Sequence, residues 1–79
     1  MRITTLFFGA TADLVGKREI ELDFGNASTV GEMIERLNLE HPALIKHKLL
    51  VALNEEYVSL DTSVRDGDTL AIFTAVSGG

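Results

Sequence analysis

The sequence predicts an α+β fold in which one main amphipathic helix packs on one face of a mixed sheet of about five strands. The predicted order is strand, strand, helix and then three shorter strands, which differs from the alternation of a parallel α/β sheet. Charged and apolar residues alternate in segment 17–24, and apolar residues have helical spacing in segment 30–37. At 79 residues the chain is long enough for one domain with a modest core.

The first strand is predicted over segment 3–8, which is dense in β-branched and aromatic residues. Successive side chains of a strand point to opposite faces. The two faces are therefore expected to be Ile3, Thr5 and Phe7 on one side and Leu6 and Phe8 on the other. Segment 10–16 could then form one or two helical turns ended by a glycine.

The second strand is predicted over segment 17–24, which alternates strictly between charged and apolar residues. Its inward positions are Ile20, Leu22 and Phe24. After a turn at 25–28, Thr29 and Glu32 have the spacing of a capping box, in which each side chain covers an amide of the other residue. The main helix is therefore predicted to begin there.

This helix is expected to be about ten residues long and amphipathic. Its apolar side consists of Val30, Met33, Ile34 and Leu37. The helix should end at His41-Pro42, because the residue before a proline is disfavoured in the helical conformation. Segment 43–48 is expected to be a connector.

Three short strands are predicted over segments 49–54, 57–60 and 69–73. The first two form a hairpin with a turn at 54–56, and Asp66-Gly67-Asp68 is a turn before the last strand. This order is that of a ubiquitin-like β-grasp, in which the first and last strands are central neighbours. The domain is expected to comprise residues 1–74, followed by a flexible tail at 75–79.

The composition argues against several classes of function. A net charge of −5 disfavours nucleic acid and anionic membranes, which both need a basic surface, and makes a basic protein the more natural partner. The chain has no cysteine and therefore no thiolate nucleophile, persulfide or cysteine-ligated metal. No segment has the length of a membrane span or the apolar core of a signal peptide, so the expected compartment is the cytoplasm.

No motif predicts a self-contained active site. His41 and His47 are isolated, and the chain has neither a phosphate-binding glycine loop nor a nucleophile elbow. Gly16-Lys17-Arg18 could form an anion-binding turn, but two basic residues that open a strand are typically solvated. We therefore expect no bound metal and no catalytic activity of the isolated chain.

The outer face of the sheet is a candidate protein-binding surface. Leu6, Phe8, Tyr57 and Phe73 are expected on the side away from the helix, where either loops or solvent would cover them. Aromatic residues are preferred anchors of interfaces, so Phe8, Tyr57 and Phe73 are candidate docking residues.

The end of the sequence, Val76-Ser77-Gly78-Gly79, carries the remaining candidate chemistry. Residues 74–79 span up to about 20 Å when extended, and glycines pass through narrow channels because they have no side chain. Adenylation by ATP would turn the carboxylate of Gly79 into a mixed anhydride that a thiol, persulfide or amine can attack. A cleavage remnant is the alternative explanation.

Several segments together resemble the small, sulfur-carrier subunits of molybdopterin synthase, the MoaD-like family. They are Leu6-Phe7-Phe8, Ala12-Asp13-Leu14-Val15-Gly16, Val51-Ala52-Leu53-Asn54 with Tyr57-Val58, and the stretch from Asp66-Gly67-Asp68 through Ala71-Ile72-Phe73 to Val76-Ser77-Gly78-Gly79. These segments cover most of the chain in order. Thr74-Ala75 stands where many members carry Pro-Pro.

The resemblance implies a ubiquitin-like fold whose Gly79 is adenylated by an E1-like enzyme that uses ATP. Gly79 then becomes a thiocarboxylate with sulfur from a sulfurtransferase. It donates this sulfur to precursor Z (cyclic pyranopterin monophosphate) during biosynthesis of the molybdenum cofactor. The tail residues that would insert into the large subunit are Val76, Ser77 and Gly78.

The resemblance also implies the partners. The large subunit of molybdopterin synthase supplies the catalytic residues, and two large and two small subunits assemble. Phe8, Tyr57 and Phe73 match apolar positions that the family uses at its subunit interface. No tightly bound cofactor is implied.

Three other functions remain open. The chain could carry sulfur for thiamine synthesis or tRNA thiolation, form an isopeptide bond between Gly79 and a lysine as a protein modifier, or be an interaction module with an inert tail. The Leu6-Phe7-Phe8 start and the Ser77-Gly78-Gly79 end favour the molybdopterin branch.

Overall fold

A computed structural model describes residues 2–25 and 29–74 of the chain. In chain order its elements are β1 Arg2–Phe7, α1 Ala10–Val15, β2 Glu19–Asp23, α2 Val30–Glu40, a 3-10 helix Pro42–Lys46, β3 Leu49–Leu53, β4 Glu56–Tyr57 and β5 Thr69–Thr74. The predicted tail at 75–79, with Val76, Ser77, Gly78 and Gly79, lies outside the described residues.

The described strands form one mixed sheet in the order β2-β1-β5-β3-β4. β1 and β5 are parallel neighbours, with Thr4 opposite Thr69 and Phe7 opposite Ile72. The pairs β1–β2, β3–β5 and β3–β4 are antiparallel. The predicted β-grasp topology, with the first and last strands as central neighbours, is therefore confirmed.

Helix α2 covers one face of this sheet. The buried core comprises Ile3, Phe7, Phe24, Val30, Met33, Leu37, Leu44, Val51, Leu53, Val64, Leu70 and Ile72. In β1 and β5 the core residues fall on alternate positions, as period-two patterning requires. The predicted inward and outward faces of both strands are correct.

The amino end of α2 has each of its first three amides paired. Thr29 Oγ1 accepts a hydrogen bond from the amide of Glu32 at 3.2 Å. The amides of Val30 and Gly31 donate to the carbonyls of Thr62 and Leu60, each at 2.9 Å. The first amides of a helix have no partners within the helix. The segment that contains Leu60 and Thr62 therefore helps to determine which residue begins α2.

The hairpin β3–β4 differs from the predicted one. Its turn is Asn54-Glu55, with positive φ angles of 50° and 71°, and β4 is Glu56–Tyr57 instead of 57–60. Two-residue hairpin turns of this kind match the twist of the flanking strands. Glutamate rarely adopts positive φ, and Glu55 does so here as part of the turn predicted at 54–56. β2 also begins at Glu19, two residues later than predicted.

Two further predictions about helices are confirmed. Segment 10–16 contains α1, which ends at Gly16 with φ of 85°, a left-handed conformation that favours glycine. α2 ends before His41-Pro42, and the predicted connector contains the 3-10 helix. No helix within residues 2–25 and 29–74 is long and apolar enough to span a membrane.

The cap of α2 predicts a specific loss of stability. Thr29→Ala should lower the free energy of unfolding by about 1 kcal/mol, because the amide of Glu32 loses its acceptor. Thr29→Ser keeps that acceptor and should retain most of the stability. Urea denaturation followed by circular dichroism measures both, and equal losses in the two variants would contradict this role.

Candidate docking site

Three aromatic side chains, Phe8, Tyr57 and Phe73, form a cluster on the sheet face away from α2. We call them the aromatic surface. The rings of Phe8 and Phe73 are stacked, with centroids 5.1 Å apart and planes at 14°. The ring of Tyr57 lies 6.1 Å from Phe73 at 46°. Phe8 is 45% exposed and Tyr57 is 75% exposed, so solvent reaches both.

The sheet register places a depression beside these rings. Leu6, Ala71, Ala52 and Tyr57 stand opposite one another across four neighbouring strands. The two alanines in the middle of this row are small, and the flanking side chains are large. The resulting open depression measures about 490 Å³ and is lined mainly by this row together with Phe8 and Phe73.

The side chain of Thr11 bonds to the backbone beside both stacked rings. Its side chain is fully buried, and Oγ1 lies 2.6 Å from the carbonyl oxygen of Phe8 and 3.1 Å from that of Ile72. The carbonyl of Ile72 also accepts from the amide of Phe8 at 3.0 Å. Because the Ile72 carbonyl belongs to the peptide unit that precedes Phe73, one hydroxyl holds the backbone beside both rings.

Asn54 holds the turn that carries Tyr57. Its Oδ1 accepts from the amide of Thr69 at 2.9 Å, and its Nδ2 donates to Asp68 at 3.0 Å. Its own amide donates to the carbonyl of Thr69 at 2.8 Å. These bonds join the β3–β4 turn to the start of β5, which brings Tyr57 to the edge of the depression.

Exposed aromatic side chains such as these are preferred anchors of protein interfaces. The residues described contain no group of three or more His, Asp or Glu side chains able to hold a metal, and the sequence has no cysteine. The pKa of Asp23 is lowered below its usual range, chiefly because the amide of Gly25 donates to its carboxylate at 2.9 Å. In the register of β1 and β2, Asp23 lies opposite Arg2, at the end of β1 that is farthest from Phe8.

The structure thus brings together the three aromatic residues predicted from the sequence. Phe8 and Tyr57 are not covered by any loop within residues 2–25 and 29–74. Thr11 and Asn54 were missed as positioning residues, since their hydrogen bonds depend on partners distant in sequence. The tail residues Val76, Ser77, Gly78 and Gly79 fall outside the described residues.

The sequence model of the ThiS family matches residues 5–79. The chain belongs to this family. It is 39% identical over 80 residues to a molybdopterin synthase sulfur carrier subunit of Haemophilus influenzae, an alignment that covers 98% of this chain and 99% of that relative. The resemblance to molybdopterin synthase small subunits is thereby confirmed.

The chain is also similar to a relative with a different name. The small archaeal modifier protein 1 of Haloferax volcanii is 32% identical over 82 residues, which cover 91% of this chain and 94% of that protein. The crystal structure of SAMP1 from Haloferax volcanii is 29% identical, covers 100% of both chains and superposes with a TM-score of 0.84. This similarity confirms the ubiquitin-like fold.

Two buried threonines provide a matched test of the role of Thr11. Thr11→Val removes a hydroxyl whose single proton is shared between two carbonyl oxygens, and it should lower the free energy of unfolding by about 1 kcal/mol. Thr5 is also fully buried, but its hydroxyl has no hydrogen-bond partner among the residues described. Thr5→Val should therefore leave the stability unchanged or raise it.

Urea denaturation measures both variants, and NMR shifts of the ring protons report the stacking of Phe8 on Phe73. We expect Thr11→Val to alter these shifts and Thr11→Ser to restore them. Equal destabilisation by Thr5→Val and Thr11→Val would contradict a specific role for the Thr11 hydroxyl.

Proposed function

We propose that this chain is the sulfur-carrier small subunit of a molybdopterin synthase. The observation that carries the proposal is the alignment with the Haemophilus influenzae sulfur carrier subunit, which extends over nearly the whole of both proteins at 39% identity. The exposed cluster of Phe8, Tyr57 and Phe73 supports it, because a carrier without its own catalytic groups needs a surface by which to bind an enzyme.

The proposed function divides the chain into two parts. The domain at 1–74 folds and docks through the aromatic surface, and the tail at 75–79 carries the reactive group. β5 ends at Thr74 in the centre of the sheet, so the tail begins close to Phe73. A partner that binds the aromatic surface is therefore well placed to take up Val76, Ser77 and Gly78.

The chemistry takes place at the carboxylate of Gly79. An oxygen of this carboxylate attacks the α-phosphorus of ATP in an E1-like enzyme, and pyrophosphate leaves. The persulfide sulfur of a sulfurtransferase then displaces AMP, and a thiol reductant releases the thiocarboxylate of Gly79. The glycine lets the reacting backbone approach closely, because no side chain obstructs it.

The remaining steps belong to the partners. The large subunit of molybdopterin synthase supplies the catalytic residues, and the thiocarboxylate donates sulfur to precursor Z in its active site. Two large and two small subunits form the complex in the cytoplasm. The small subunit holds no cofactor tightly, and ATP is consumed by the activating enzyme.

Sulfur loading can be tested directly. After co-expression with the activating enzyme and the sulfurtransferase, we expect an alkylating reagent to trap a thiocarboxylate at Gly79, and we expect deletion of Gly79 to abolish sulfur transfer. Replacing oxygen by sulfur changes the nominal mass as much as oxidation of Met1 or Met33 does. Fragmentation must therefore locate the change, and a change found on methionine alone would refute the assignment.

Docking can be tested without sulfur chemistry. Phe8→Ala or Phe73→Ala should weaken binding to the large subunit by at least about 1 kcal/mol, roughly fivefold in Kd. Leu39→Ala is the matched control, because Leu39 is 82% exposed and lies on α2, on the other face of the sheet. Titration calorimetry measures all three, and affinities unchanged by the Phe8 and Phe73 variants would refute the docking role.

A second candidate function is protein modification through an isopeptide bond. The 32% identity to a small archaeal modifier protein favours it. In that case the adenylate of Gly79 would be attacked by a lysine amine instead of a persulfide. Recovery of peptides that link Gly79 to lysines of other proteins would support the modifier function, and a thiocarboxylate without such links would support the carrier.

A further inference from the structure

We infer that the partner surface that receives the tail is acidic around the entrance to its channel. The inference rests on the proposed function, in which the tail enters another protein, and on four basic residues, Lys17, Arg18, Lys46 and Lys48, at the end of the sheet where β5 ends. We call these four residues the basic collar.

Strand direction places the basic collar around the exit of the tail. β5 ends at Thr74, which pairs with Leu49 at the start of β3, so Lys48 precedes that pair directly. On the other side, the amide of Phe7 donates to the carbonyl of Arg18 at 2.8 Å, just before β2 begins. Lys17 directly precedes Arg18, and Lys46 is the last residue of the 3-10 helix, two residues before Lys48.

The collar therefore flanks the exit on both sides. β3 is the direct neighbour of β5, and β2 lies two strands away. At about 4.8 Å between neighbouring strands and about 3.3 Å per residue, the backbone of Lys48 lies about 6 Å from Thr74, and that of Arg18, which is level with Ile72, lies about 12 Å from Thr74. The Lys48 distance falls inside the range over which charges act at physiological salt, about 8 Å to 10 Å, and the Arg18 distance lies just beyond it.

The collar residues are available to a partner. All four are exposed. Within the described residues the ion pairs join Arg2 to Glu21 at 2.9 Å and Arg36 to Glu40 at 3.9 Å, and no collar residue takes part in one. The carboxylates at this end are Glu19, Asp13 and Glu40, of which Glu40 pairs with Arg36, so positive charge is in excess here.

The opposite end of the molecule has the reverse charge. It comprises the β3–β4 turn, the segment 61–68 and the starts of β5 and α2, and the basic residues there are Arg2, which is paired, and Arg65. Its acidic residues are Asp23, Glu32, Glu55, Glu56, Asp61, Asp66 and Asp68. The net charge of −5 thus conceals a separation of charge along the strand direction.

Because of this separation, the local charge indicates a different class of partner from the one that the net charge indicates. The total charge suggests a basic protein, but the end that approaches the tail channel is the basic one. Complementary charge accelerates encounter and orients it, and the acceleration falls as salt rises. An acidic channel entrance would attract the collar and repel the acidic end, so that the chain arrives with its tail foremost.

Two charge reversals of equal size test the inference. Lys48→Glu changes the collar, and Arg65→Glu makes the same change in net charge at the acidic end. Stopped-flow measurements give the association rate constant of each variant with the large subunit of molybdopterin synthase from the same organism, at several salt concentrations. Lys48→Gln and Arg65→Gln provide a milder matched pair if a reversal impairs folding.

We expect Lys48→Glu to slow association at low salt by about threefold or more and to weaken the salt dependence, while Arg65→Glu leaves the rate unchanged or raises it. Equal effects of the two reversals, or faster association of Lys48→Glu, would overturn the acidic entrance and leave the proposed function intact. Failure of the wild-type chain to bind the large subunit would instead overturn the proposed function, and the inference with it.

Discussion

The parallel pairing of β1 with β5 is the interaction on which the rest of this molecule depends. It joins the first and last strands of the described chain, from Thr4 opposite Thr69 to Phe7 opposite Ile72. Closing so long a loop costs chain entropy, and burial of Ile3, Leu70 and Ile72 against α2 offsets that cost. Because the two strands run in the same direction, both leave the sheet at the same end.

That shared end determines where the candidate site lies. Phe8 follows β1 and Phe73 is near the end of β5, so their rings stack there. α1 begins shortly after β1, and its Thr11 hydroxyl bonds to the carbonyl of Phe8, which follows β1, and to that of Ile72 in β5. A six-residue helix is too short to be stable alone, so α1 owes its position to these contacts and in turn holds the backbone of the aromatic surface.

The sequence predicted what local spacing determines. Alternation in β1 and β5 assigned Phe8 and Phe73 to the outer face, and the cap at Thr29 located the start of α2. Features that depend on distant partners were not predictable. The Thr11 hydroxyl bonds to a carbonyl 61 residues away. A turn at 54–56 was predicted, but not the hydrogen bonds that hold it, in which Asn54 Nδ2 donates to Asp68 and Asn54 Oδ1 accepts from the amide of Thr69.

The charge separation has the same origin. Lys17, Arg18, Lys46 and Lys48 belong to two separate segments, and they meet at one end because β2 and β3 both run antiparallel to the central pair of strands. A net charge sums over the whole chain and cannot reveal this arrangement. Strand direction, which long-range pairing determines, therefore decides which sign of charge surrounds the exit of the tail.

On the proposed function, this geometry also constrains the order of events. α2 covers one face of the sheet, so a partner that takes the tail must approach the opposite face, where one depression of about 490 Å³ lies beside the aromatic surface. The activating enzyme and the large subunit then compete for the same face and must bind in succession.

A carrier that binds two partners in succession needs fast association and fast dissociation. Exposed charges at the rim raise the association rate more than the affinity, whereas a tighter apolar contact would chiefly slow dissociation. A basic collar beside a shallow aromatic surface meets both requirements.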